Sequence, residues 1–340
     1  MLPGVRQCAL DLCGELQRMI PSLPLAGSVV DTIGRTPMVE LHKLRARLKL
    51  EGRLLAKLEY FNPGFSKKDR IALEMIRGAR TGGDLRPGQT VVELTSGNTG
   101  TGLAIVCRAL GHPFIAVMSK GNTIERARMM AALGARVVRV DQAPGSQPHQ
   151  VSGADLALVE EKARQLVLEH GAFRADQFRL EDNVLAHQRH TGPEIWEQSE
   201  GRVTAFVDFA GTGGSFTGVM RALKERNPAV RGYLVEPASA PALAGEQVTN
   251  QSHVIQGGGY SMAELPLLDR GLVTDYLKVT DSAATEAARL LAQEEGIFGG
   301  FSAGANFAGA VQVLQAGEHG AVAFLICDSG LKYLSTDLYP

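Results

Sequence analysis

The sequence predicts an α/β protein: two open, twisted, mainly parallel sheets with helices on both faces and a cleft between them. Three observations carry that reading. Short β-branched runs, such as those at 90–94, 113–119, 135–140, 204–210 and 321–328, are apolar almost throughout, as strands buried on both faces are. Longer stretches with helical spacing separate these runs. The alternation occurs twice, so the chain divides into two sheet-forming halves.

Taken in order, Val5, Cys8, Ala9, Leu12, Cys13, Leu16 and Ile20 recur at helical spacing, while Asp11, Glu15 and Arg18 interrupt every apolar run before it reaches signal length. Residues 1–29 therefore read as an amphipathic helical extension laid on the domain or on a second subunit. Beyond Val29 the expected elements are a strand at 53–61, a helix at 71–80, a strand at 90–94 and a helix at 101–110. A strand at 113–119, a helix at 125–134 and a strand at 135–140 follow. An irregular stretch from Asp141 to Asp155 precedes a helix over 157–171 and the segment 192–198. The second run holds strands at 204–210, 231–237 and 321–328 and helices at 281–296 and 306–315.

Composition narrows the class. The chain has 340 residues, 44% hydrophobic and 21% charged, with a net charge of -1, which fits a soluble metabolic protein rather than a partner of nucleic acid or an acidic membrane. Its four cysteines form no Cys-x-x-Cys pair, so a reducing compartment, the cytoplasm, is expected. His187 and His190 lie one helical turn apart with no third ligand at a recognisable spacing, so no metal is expected.

Four polar turns carry chemistry. Asp208 to Gly218 places a glycine-dense turn between a strand and a helix expected near Thr217, where backbone N–H groups and the helix N-terminus can hold a phosphate with no lysine in the turn; a tight structural turn is the alternative. It is neither a Walker loop nor a Rossmann fingerprint. Thr95 to Gly100 offers hydroxyls and amides suited to a carboxylate, or a helix cap from Ser96 or Thr99. Gly300 to Ala305 presents Ser302 as an N-cap or a ligand partner. Asn62 to Arg70 brings Lys67 and Lys68 one helix away from the second turn, close enough for a lysine-bound aldehyde cofactor.

These residues resemble the fold type II pyridoxal-phosphate enzymes, specifically the cysteine synthase and cystathionine β-synthase family, whose architecture is tryptophan synthase β-like. The likeness runs from Asp31 to Thr336 and includes Gly34 to Pro37, Asn62 to Arg70, Thr95 to Gly100, Gln177-Phe178, Thr191 to Trp196, Gly211 to Gly218, Ile255 to Gly257, Gly300 to Gly304 and Lys332 to Thr336. The resemblance implies that Lys68, the lysine before Asp69-Arg70, bears pyridoxal 5'-phosphate. It implies that Asn98 bonds the phenolic oxygen of the cofactor, that Gly211, Thr212, Gly213, Gly214 and Ser215 hold its phosphate, and that Ser302 faces the pyridine nitrogen. Thr95, Ser96, Gly97, Thr99 and Gln177 match the shell around the substrate carboxylate, and Gly257 and Tyr260 match the loop that meets the substrate. It further implies a large cofactor-phosphate domain from 30–45 and 176–340, a smaller mobile substrate domain at 46–175, and a homodimer.

A serine opposite the ring nitrogen cannot keep it protonated as an aspartate would, which favours prompt loss of a β-substituent. The expected reaction is β-replacement on an O-activated serine through an aminoacrylate, giving cysteine or a related β-substituted amino acid, with Lys68 moving the α-proton. The partners are an amino-acid substrate and a small nucleophile. The alternatives are a β-elimination lyase of desulfhydrase or ammonia-lyase type and a non-catalytic cofactor-binding regulator. Four departures from the family pattern stand out. Lys67 fills a place usually apolar, Phe65 replaces a common glycine and is expected to crowd the mouth of the site, Leu94 stands where proline is frequent, and Arg179 to Asn183 differ from the usual segment after Gln-Phe.

Overall fold

The computed structural model describes residues 25–95, 97–146, 151–317 and 320–339. The helix expected from Val5 to Ile20, Cys8, Cys13 and Ser96 lie outside the described residues. The strands are β1 (Met38–Glu40), β2 (Arg53–Leu58), β3 (Val91–Leu94), β4 (Phe114–Ser119), β5 (Arg136–Val140), β6 (Phe173–Arg174), β7 (Ala205–Phe209), β8 (Arg231–Pro237), β9 (Asp275–Val279) and β10 (Ala321–Ile326). The α-helices are α1 (His42–Arg47), α2 (Lys68–Gly82), α3 (Asn98–Leu110), α4 (Ile124–Ala132), α5 (Gly153–His170), α6 (Asp182–Ala186), α7 (Gly192–Gln198), α8 (Gly214–Arg226), α9 (Asp281–Glu295) and α10 (Phe301–Gln315).

The larger sheet runs β1-β2-β10-β7-β8-β9, parallel except for β1, and the smaller runs β5-β4-β3-β6, parallel throughout. Their strands are apolar on both sides because both sides are covered. Leu54, Ala56, Val207, Val322 and Phe324 pack with α9 and α10, while Leu55, Phe206, Ala323 and Leu325 pack on the other face with Phe216, Val219 and Met220 of α8. In the smaller sheet Val91, Phe114 and Ala116 meet α2 and α3, and Val92, Ile115 and Val117 meet Val159, Ala163 and Leu166 of α5. Alternation along each strand sends successive side chains to opposite faces, so two cores form per sheet.

The segment 46–175 does not fall wholly in the smaller unit: β2 pairs with β10 over Arg53–Leu58, so these residues belong to the larger sheet. Val30 conversely packs in the core beside α2 and α3. Helix α8 starts at Gly214 rather than near Thr217, and α10 at Phe301 rather than after Ala305, because small residues in both turns already take helical conformation. No helix among the described residues is long and apolar enough to cross a membrane.

Parallel strands end on a common edge, and ligands gather beyond those ends in open α/β sheets. The segments following β2, β7 and β10, three adjacent strands, carry Asn62 to Lys68, Ala210 to Ser215 and Cys327 to Tyr333. The segments following β3 and β6, also adjacent, carry Thr95 to Asn98 and Gln177.

Candidate active site

The lysine loop is anchored by a buried charge network. Arg70 of α2 donates through Nε and Nη2 to both carboxylate oxygens of Glu59 at 2.7 and 2.8 Å, and through Nη1 and Nη2 to Glu194 of α7 at 2.7 and 2.8 Å. Lys57 adds a 2.7 Å ion pair to Glu194. Thr36 donates to Glu59 at 2.7 Å, and the Gly34 amide donates to Asn62 Oδ1 at 2.8 Å. Three sequence motifs, 34–37, 62–70 and 191–196, thus meet at one guanidinium. Burial would raise the Glu194 carboxyl, but the hydrogen bonds and charge of Arg70, followed by Lys57, outweigh it and bring the pKa down to about 2.

Within the loop, Gly64 is sterically required, since a Cβ there would lie 2.4 Å from Asp69 Oδ1. Phe65 sits at φ +59°, a conformation unfavourable for a side chain of its size. The residue is 44% exposed and does not line the cavity, so it does not crowd the site as expected.

Lys67 and Lys68 follow, and the structure separates their roles. Lys67 is buried: Nζ lies 2.8 and 3.1 Å from the carboxylate oxygens of Asp208 and 2.9 Å from Ser215 Oγ. Lys68 opens its amine on the cavity, with no hydrogen-bond acceptor for it among the described residues. Burial first, and then the neighbouring Lys67 ammonium, push the Lys68 amine down to about 8.

Asn98, the first residue of α3, is held by two unambiguous partners. Lys332 can only donate, and its Nζ lies 2.7 Å from Asn98 Oδ1; Asp328 accepts from Asn98 Nδ2 at 2.7 Å. The amide orientation is thereby fixed, with the second Nδ2 hydrogen left for the cavity. Thr95, rather than Thr99, bonds the start of α3: its Oγ1 accepts from the amides of Gly97 and Gly100 at 3.0 and 2.8 Å. Thr99 donates to Gln177 Oε1 at 2.6 Å, and Gln177 Nε2 donates to the Leu94 carbonyl at 3.2 Å.

The glycine turn is a cradle. Gly213, the N-cap of α8, has φ +84° and makes no side-chain cap bond, while Thr212 Oγ1 accepts from the Gly214 amide at 3.4 Å. A Cβ on Gly214 would lie 2.3 Å from Asn183 Oδ1, so the backbone approach there needs glycine. A glycine-rich helix N-terminus, a cavity-facing amine and an oriented amide fit an aldehyde cofactor bearing a phosphate. The turn is nevertheless not without a lysine, since Lys67 reaches Ser215 from another loop.

One cavity gathers most of the predicted residues: Lys68, Asn98, Thr99, Gln177, Gly211, Thr212, Ser215, Gly257, Tyr260 and Ser302. Thr95, Gly97, Gly213 and Gly214 support its walls without lining it. Tyr260 also packs on Phe178, with ring centroids 5.9 Å apart. Lys67, Phe209, Gln256 and Cys327 line the cavity as well; Lys67 stood out in the sequence by its charge in a usually apolar place, and Phe209 and Gln256 fell within motifs without a role of their own. Burial pushes the Cys327 thiol up to about 11. His187 is fully buried with Nδ1 2.9 Å from Thr191 Oγ1, while His190 is exposed. Among the described residues no cluster of three or more His, Cys, Asp or Glu could hold a metal.

The fold and this cavity define a class, and comparison with known proteins gives it a name: residues 29–328 match the family described as "Pyridoxal-phosphate dependent enzyme", and the chain belongs to that family. It is 37% identical over 313 residues to the cysteine synthase B of Pseudomonas aeruginosa, covering 92% of this chain and 97% of that protein. Among solved structures it is similar to O-ureido-L-serine synthase, with a TM-score of 0.82 and 38% identity over 93% of this chain and 95% of that one. It is also similar to O-acetyl serine sulfhydrylase isoform 3 from Entamoeba histolytica, with a TM-score of 0.85 and 33% identity over 94% and 93% of the two chains.

Proposed function

We propose that this chain is a β-replacement enzyme that exchanges an oxygen leaving group on the β-carbon of an activated serine for a small nucleophile, yielding cysteine or a related amino acid. One observation carries the reading. The amine of Lys68, with no hydrogen-bond acceptor among the described residues, faces a single cavity that has the glycine-capped helix N-terminus at Gly211 to Ser215 and the polar group Asn98, Thr99 and Gln177. Pyridoxal phosphate, when bound, supplies the sink for electrons leaving the substrate α-carbon.

The residues divide the remaining work. Lys68 would hold the cofactor, and its amine, near pKa 8 and so suited to proton transfer at neutral pH, would take the substrate α-proton and return it. Asn98 would donate to the phenolic oxygen of the cofactor, Gly211 to Ser215 would hold its phosphate, and Ser302 would serve its ring nitrogen. Thr95, Ser96, Gly97, Thr99 and Gln177 serve the substrate carboxylate, with the Thr99–Gln177 bond fixing two of them. Gly257 and the Tyr260–Phe178 pair form the side from which the nucleophile enters. The smaller sheet acts as the mobile half, the enzyme works in the cytoplasm, and it assembles as a homodimer, which sedimentation measures directly.

Offering O-acetylserine with and without sulfide tests the reaction. Cysteine formed only when both are present is the expected result. Pyruvate released at the same rate with or without sulfide would replace this reading with elimination, and neither product would remove catalysis on this substrate.

A further inference from the structure

Asp208, 1% exposed, is the penultimate residue of β7, and Ser215 is the second residue of α8; Lys67 lies on a separate loop and bonds both. Ser215 accepts from Lys67 and donates its own proton to Asp208, which also accepts from Asn306 Nδ2 at 3.4 Å, so the three groups form one network beneath the glycine turn. A buried ion pair gains little over apolar residues of the same size, so its stability contribution alone does not account for it. Its arrangement is polar in a directed way: Lys67 and Ser215 line the cavity, and Asp208 lies behind them. The cationic end therefore faces the cradle. Because Lys67 immediately precedes Lys68, one loop supplies both the amine for the aldehyde end and a cation for the phosphate end.

We propose that Lys67, its charge balanced by Asp208, is a positioning residue that gives the Gly211–Ser215 cradle its preference for a charged phosphate group. This rests on the cofactor reading above. The test is the ratio of affinities of the apoprotein for pyridoxal 5'-phosphate and for pyridoxal, which lacks the phosphate, measured by absorbance and by thermal shift. The double variant Lys67→Met with Asp208→Asn removes both charges and leaves neither partner buried alone. Its ratio should fall about 10-fold or more, as loss of a charge-assisted contact implies; any change at the Lys68 amine acts on both ligands and cancels in the ratio. Asp208→Asn alone leaves the ammonium unmasked and should hold or raise the ratio. Equal weakening of both ligands in the double variant, an unchanged ratio, or a ratio that falls as far in Asp208→Asn would overturn the proposal. Failure of the unmodified apoprotein to bind either ligand would instead remove the cofactor reading on which it rests.

Discussion

Replacing Glu194 by glutamine removes one carboxylate from the Arg70 network at constant size. The Glu194 carboxyl stands at about 2 against an ordinary 4.5, so the folded state favours its charged form by 2.5 pH units. At 1.36 kcal/mol per unit this is about 3 kcal/mol at neutral pH, and with the side chain only 15% exposed solvent screening takes little from it. A depressed carboxylate contributes stability that is complete above its unfolded pKa and is lost as pH falls through the folded one. The gap between wild type and Glu194→Gln should therefore be about 3 kcal/mol at pH 7 and shrink to about 2 kcal/mol at pH 3.5. Urea unfolding followed by circular dichroism at the two pH values measures it. A gap below about 1 kcal/mol at pH 7, the range of an exposed pair, would refute the claim that a buried network anchors the lysine loop.

Three further outcomes follow from the site and its supports. With its amine held near 8 by burial and the Lys67 charge, Lys68 should react with pyridoxal phosphate at a rate that rises with pH and levels off above about 8; a rate still climbing past the range of ordinary lysines contradicts that environment. Lys332→Met frees the Asn98 amide, and the expected result is an altered absorbance of the bound cofactor with turnover about 10-fold lower, the worth of one oriented hydrogen bond. An unchanged spectrum would show that Asn98 keeps its orientation without Lys332. Gly304→Ala places a Cβ 2.0 Å from the Ala284 carbonyl oxygen where α10 crosses α9, so thermal unfolding should show a loss of about 1–3 kcal/mol, and an unshifted transition would deny that close approach.

Most strands and helices were legible because strands covered on both faces leave continuous apolar runs, and helices leave amphipathic spacing between them. Strand β9 escaped because it is a half-exposed edge strand whose Asp275 and Lys278 break the apolar run. The membership of β2 in the larger sheet was hidden for another reason: its partner β10 lies more than 260 positions away, and no local pattern encodes such a pairing. The cavity-facing places of Lys68, Asn98, Thr99, Gln177, Gly211, Thr212, Ser215 and Ser302 were readable as polar turns at strand ends. What those turns share with one another was not. The convergence of Thr36, Glu59 and Glu194 on Arg70, the grip of Lys332 and Asp328 on Asn98, and the presence of Phe209, Gln256 and Cys327 in the wall depend on segments distant in sequence. The partner of Lys67 was equally hidden, since Asp208 sits at the end of a strand that otherwise reads as plain core.

Two adjacent lysines make the central assignment unusually easy to decide. Borohydride reduction of the protein saturated with pyridoxal phosphate, followed by peptide fragmentation, should place the pyridoxyl group on Lys68 and leave Lys67 unmodified. A label on Lys67, or on neither residue, would contradict the account.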